Sequence, residues 1–127
     1  MVILTHIHYI GDLVPSLLFL FPSGTHIAVE EDEDNWTVLI VTPIMRRAQD
    51  LKEASEIIFT DSTSSCDSER SNVTVLMTAT KAGAVPIAVL LHKNKSEEDY
   101  AAAYKLLVRE FPKCFGKKEV RKICPIV

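Results

Sequence analysis

Basic residues are missing from the start of the chain: in a sequence of 127 residues, no lysine or arginine precedes Arg46. A secretory signal places positive charge before its apolar run. The most apolar stretch, 13–21 (LVPSLLFLF), has Asp12 just upstream instead. It also falls well short of the roughly 20 apolar residues a transmembrane helix needs, and Pro15 interrupts it. No membrane association is therefore expected, and the expected compartment is the nucleus or cytoplasm rather than the secretory route. Cysteine is scarce. Cys66, Cys114 and Cys124 are too few and too scattered for a disulfide scaffold. They also lack zinc-site spacing, and the four histidines do not cluster near them. Net positive charge is absent too: the formal charge is −3, so there is no chain-wide footprint for nucleic acid. What remains is ordinary globular material, 47% hydrophobic and 24% charged, enough for one small domain.

All three asparagines, Asn35, Asn72 and Asn94, begin N-x-S/T triplets. These matter only in a secreted chain, and coincidence in a Ser- and Thr-rich sequence accounts for them. The acidic run 30–34 (EEDED) reads as a solvated loop; a divalent-ion site there would need its acids to converge. Residues 36–41 (WTVLIV) are β-branched and apolar, a strand. Thr42-Pro43 follows as a helix start, with Met45, Ala48 and Leu51 as the buried stripe of a short surface helix over 44–54. A second apolar run, 56–60 (EIIFT), ends at Asp61, and a polar, turn-like stretch carries on to residue 70. The β-rich segments 72–80 and 85–92, joined through Lys81-Ala82-Gly83-Ala84, read as an antiparallel hairpin. Ser96 then caps a long helix, with Asp99 completing a capping box and Tyr100, Ala103, Tyr104, Leu107 and Phe111 on its apolar face. Pro112 stops it. The tail is basic and ends in a short apolar stub, 123–127. This order predicts an α/β fold with a mixed sheet: a three-strand antiparallel meander followed by a helix.

Asp61 is the candidate functional residue. A carboxylate fixed by a strand is well placed to hold Mg²⁺, which takes one or two carboxylates plus phosphates and water. Two such ions stabilise the attacking and leaving oxygens of a phosphoryl displacement. Two families fit this residue. The stretch Asp61-Ser62-Thr63-Ser64-Ser65 is similar to the D-x-S-x-S metal motif of von Willebrand factor A adhesion domains, with Thr63 replacing the middle serine. The long helix that follows the motif in that family has no counterpart here.

The broader resemblance runs from residue 37 to about 116. It is carried by VTPIMRRAQ (41–49), EIIFTDSTSSCD (56–67), the hairpin and helix over 73–107, and FPKCFG (111–116). These segments resemble, in order, the start of the catalytic domain of a Mutator-like (MULE) DDE transposase. That resemblance implies a partial RNase H-like fold, in which three antiparallel strands are followed by a fourth parallel to the first. It implies DNA as the parent partner, Mg²⁺ as cofactor, and Asp61 as the first carboxylate of the catalytic metal triad. The second Asp belongs at the end of the strand after the helix, and here that stub holds no acidic residue. Two of three ligands thus have no counterpart, and the chain is expected to be a truncated, catalytically inactive transposase-derived protein. A domesticated interaction module, self-associating through an exposed sheet edge, is the alternative; a secreted adhesion module is a third. The expected division is an unassigned segment over 1–35 and the transposase-like unit over 36–127. Residues 1–25 match nothing in the family. They either cover an exposed sheet face with Leu13, Leu17, Leu18 and Phe21 or are unrelated sequence joined to it.

Overall fold

The computed structural model describes residues 21–33, 35–63, 71–93 and 96–118. Cys66, Asp67, Glu69, Asn94, Cys124, the apolar run before Phe21 and the terminal stub lie outside the described residues. Among the described residues the fold is α/β, a five-stranded sheet with two helices. In chain order the strands are β1 (His26–Glu31), β2 (Trp36–Val41), β3 (Ile58–Thr63), β4 (Asn72–Thr80) and β5 (Gly83–His92). The helices are α1 (Pro43–Ala48) and α2 (Glu97–Glu110), and a 3-10 turn, Lys52–Ser55, leads into β3. The spatial order is β1-β2-β5-β4-β3.

The meander expected from the sequence is present as β3-β4-β5. The expected mixed sheet is not: every neighbouring pair among the described strands is antiparallel. The reason lies in where β2 docks. It pairs with β5, on the far side of the meander from β3. The α1 connection therefore joins two strands that are not neighbours, and no parallel crossover pair forms. The second difference is β1. Its outward-facing Glu30 and Glu31 belong to a strand hairpinned onto β2, not to a loop, and the boundary expected at residue 36 falls inside that hairpin. Asp32 closes the turn. Its carboxylate accepts the Asn35 N–H at 2.8 Å, and its own N–H reaches the Asn35 carbonyl at 2.9 Å.

Strand alternation gives the sheet two apolar faces. The helix-side core contains Leu39, Leu76, Leu90, Leu106 and Leu107, all at most 2% exposed. Of these, Leu106 was not in the expected helix stripe. The central strand carries a proline, which would remove a ladder hydrogen bond from a regular interior strand. The register shows how it is accommodated: Leu76 pairs with Ala88 and Met77 with Pro86, leaving Ile87 as the extra residue of a bulge. The bulge directs a fully buried Ile87 side chain into the core and frees its carbonyl, which the buried Gln49 amide caps at 3.0 Å.

The helix starts follow the sequence. Thr42 Oγ1 accepts the Met45 N–H, and Ser96 with Asp99 forms the full capping box. The first helix is shorter than expected. It ends at Ala48, and the 3-10 turn replaces its continuation, leaving Leu51 36% exposed. After α2 the chain packs back onto that turn, and the Gly116 N–H donates to the Gln49 carbonyl at 2.8 Å. Gly116 has φ +68°, and a Cβ there would lie 2.5 Å from the Ser55 Cβ. Both strain and collision oppose any side chain. Gly116→Ala is expected to lower stability by about 1–3 kcal/mol in urea denaturation; an unchanged midpoint would show that this docking is loose.

Candidate functional site

Asp61 is the fourth residue of β3 rather than its terminus, and β3 is the edge strand of the described sheet. Although the run leading to Asp61 is apolar, the strand is not buried: five of its six residues are exposed. Apolar Ile57 and Phe59 are 61% and 47% exposed. Edge strands bury little because they have a neighbour on one side only. Asp61 pairs with Val75, while its neighbour Ser62 bonds Thr74 on the helix side. Alternation therefore places Asp61, with Phe59 and Thr63, on the face away from the helices. Asp61 and Thr63 share a face, as any residues two apart in a strand do; Ser64 and Ser65 lie outside the described residues.

No group of three His, Cys, Asp or Glu side chains able to hold a metal occurs among the described residues. The other acids near in sequence have different work. Asp99 accepts hydrogen bonds from the Ser96 N–H, the Ser96 hydroxyl and the Asn35 side-chain amide, tying the β1–β2 turn to the start of α2. Glu97 and Glu98 are exposed in the first turn of α2, where the helix dipole favours them. Glu30 pairs with Arg109 at 2.7 Å, and Glu110 with His26 at 3.3 Å, both fastening β1 to α2. The surface hollow lined by Glu53, Ala79, Thr80, Lys81 and Ala82 does not include Asp61.

One polar arrangement had not been anticipated. Ser62, Thr74 and His92 line up across β3, β4 and β5 on the helix side. The two hydroxyls share a hydrogen bond of 2.8 Å, and Thr74 Oγ1 lies 2.7 Å from His92 Nε2. His92 is fully buried and packs edge-on against Tyr100, with ring centroids 5.0 Å apart. Next to it, Tyr104 is hydrogen-bonded to Thr60, while burial pushes the Tyr104 phenol up from its ordinary range. The sequence signal was the polar alternation of Asn72, Thr74 and Thr78 within β4, whose period of two marks one face. Asn72 itself is 3% exposed, and its amide donates to the His92 and Lys93 carbonyls. The folded chain therefore has no room for a glycan there.

Cys114 is fully buried, and burial pushes its thiol up to about 12. A thiol that stays protonated is neither a nucleophile nor a metal ligand. No family model, curated protein or solved structure matches this chain.

Two outcomes follow from this chemistry. Thr74→Val keeps the shape but removes the middle of the hydroxyl–imidazole chain. It is expected to cost about 1–3 kcal/mol, with Ser62→Ala non-additive in a double-mutant cycle; full additivity would mean that the chain is not coupled. For Cys114 the unfolded thiol ionises near 9.0 and the folded one near 12. The unfolded state thus binds fewer protons in that window, and stability falls as pH rises through it. Cys114→Ala should flatten the fall in alkaline urea titrations; an unchanged slope would contradict the burial.

Proposed function

We propose that this chain corresponds to the front portion of an RNase H-like DDE transposase domain of the Mutator-like kind, and that these 127 residues do not themselves catalyse DNA cleavage or strand transfer. The supporting observation is an arrangement: Asp61 lies on the first strand of an antiparallel meander, a covering helix follows the third strand, and that first strand is at the sheet's edge. The course of the chain after α2 agrees with this reading. Gly116 lies against Ser55, which ends the turn leading into β3. The resemblance implies a next strand beside β3 and parallel to it, and Gly116 lies close to where β3 begins.

The chemistry then follows from the absence, among the described residues, of a metal-holding group of three side chains. With Mg²⁺ bound by the complete triad, the parent site would supply metal-assisted phosphoryl transfer on DNA. Asp61 would contribute one carboxylate ligand, held in place by the β3–β4 ladder. Without two further carboxylates it cannot position a pair of ions. Titration with Mn²⁺ is expected to show dissociation constants on the order of millimolar, as for sites with few charged ligands, and Asp61→Ala should abolish the signal. Micromolar binding insensitive to that substitution would contradict the proposal.

The exposure of β3 favours a second reading, a non-catalytic module that self-associates through this edge. The strand holds neither lysine nor proline, the usual guards against pairing. Sedimentation velocity should show a concentration-dependent dimer that Phe59→Lys weakens at least tenfold. A monomer at every concentration would sink this second reading and leave the first standing.

A further inference from the structure

The sheet has two apolar faces, and the described helices cover one. On the other, Val38, Ile40 and Leu91 are 0%, 2% and 1% exposed. Ile27, Val29, Val73 and Val89 surround them within the sheet. Neighbours in a sheet fill its plane but do not roof it; sealing a face takes a second layer. The described residue packed on this cluster from outside the sheet is Phe21, at the point where the described chain begins. One phenyl ring is too small to seal side chains on two central strands. The burial is also graded. It is complete at Val38, Ile40 and Leu91, partial at Val29, Val89, Val75 and Met77 around them, and lost at Phe59 on β3, which is 47% exposed. The cover therefore lies over the pairing of β2 with β5, on the cluster where Phe21 is seated.

We propose that residues 13–20, the segment leading into Phe21, are the built-in partner of this face, docking Leu13, Val14, Leu17, Leu18 and Phe19 over Val38, Ile40 and Leu91. Three observations favour this occupant. The segment is continuous with a residue already seated on the cluster, so docking it adds little loop-closure entropy. It is the most apolar stretch of the chain. It contains no charged side chain that would have to be desolvated. Residues 13–20 then belong to the folding unit and are not foreign sequence attached to it. This proposal does not depend on the transposase reading.

Methyl and aromatic nuclear Overhauser effects in the unmodified full chain test it directly. Cross-peaks from Leu17, Leu18 or Phe19 to Val38, Ile40 or Leu91 are expected, and they should persist in an isotope-filtered mixture as intramolecular contacts. Absence of any cross-peak from residues 13–20 would overturn the proposal. So would purely intermolecular ones, which would make a second copy the cover. Trp36, the single tryptophan, lies half-buried on the same face and gives an independent readout. In Leu17→Asp/Leu18→Asp, acrylamide quenching of Trp36 should rise at least twofold while the sheet's circular dichroism persists. Unchanged quenching in that folded variant would count against the proposal.

Discussion

Everything in this fold is hung on β5. It is the middle strand of the sheet, paired on one side with β2 and on the other with β4. Ile87, Ala88, Leu90, Leu91 and His92 along it are at most 1% exposed. A strand buried on both faces must satisfy every backbone group within the sheet or from side chains. The bulge at Pro86 is where that requirement is hardest to meet, and Gln49 meets it from outside the strand. Gln49 in turn fixes the segment after α2, because its own carbonyl receives the Gly116 N–H. A proline in the central strand is thus linked, through one amide side chain, to the position of residues 112–118.

The polar groups of the interior act as ties between layers and edges. Asn35 joins the β1–β2 turn to the α2 cap through Asp99. The Ser62–Thr74–His92 chain joins the exposed edge strand to the centre. Such bonds add modest net stability but are costly to break once buried, so they select one register for β3. That register fixes which face Asp61 occupies, since a one-residue slip would reverse it.

Much of this was legible in the sequence because local signals were strong. The caps at Thr42 and Ser96, the hairpin of β4 and β5, and the period of α2 all depend on near neighbours. The unexpected parts depend on distant ones. Strand β1 was hidden because Glu30 and Glu31 look like loop residues, yet their backbones pair with Thr37 and Trp36. The docking of β2 against β5 is a non-local choice that no window of residues records. The exposure of β3 was missed for the same reason: an apolar run says that a strand forms, not how many neighbours it has. For the candidate site, the sequence pointed to Asp61 alone, and among the described residues no group of three metal-ligating side chains forms.

Asp61 thus sits on the exposed edge strand of an antiparallel meander, and no metal-holding group of three side chains occurs among the described residues. The relation between β3, α2 and the chain leaving Gly116 is its most specific element. Sequencing the transcript beyond the Val127 codon tests that account most directly. It predicts that one of the three downstream frames encodes, within about a dozen residues, an apolar strand ending in aspartate, with a helical segment to follow. Three frames without such a strand would contradict it.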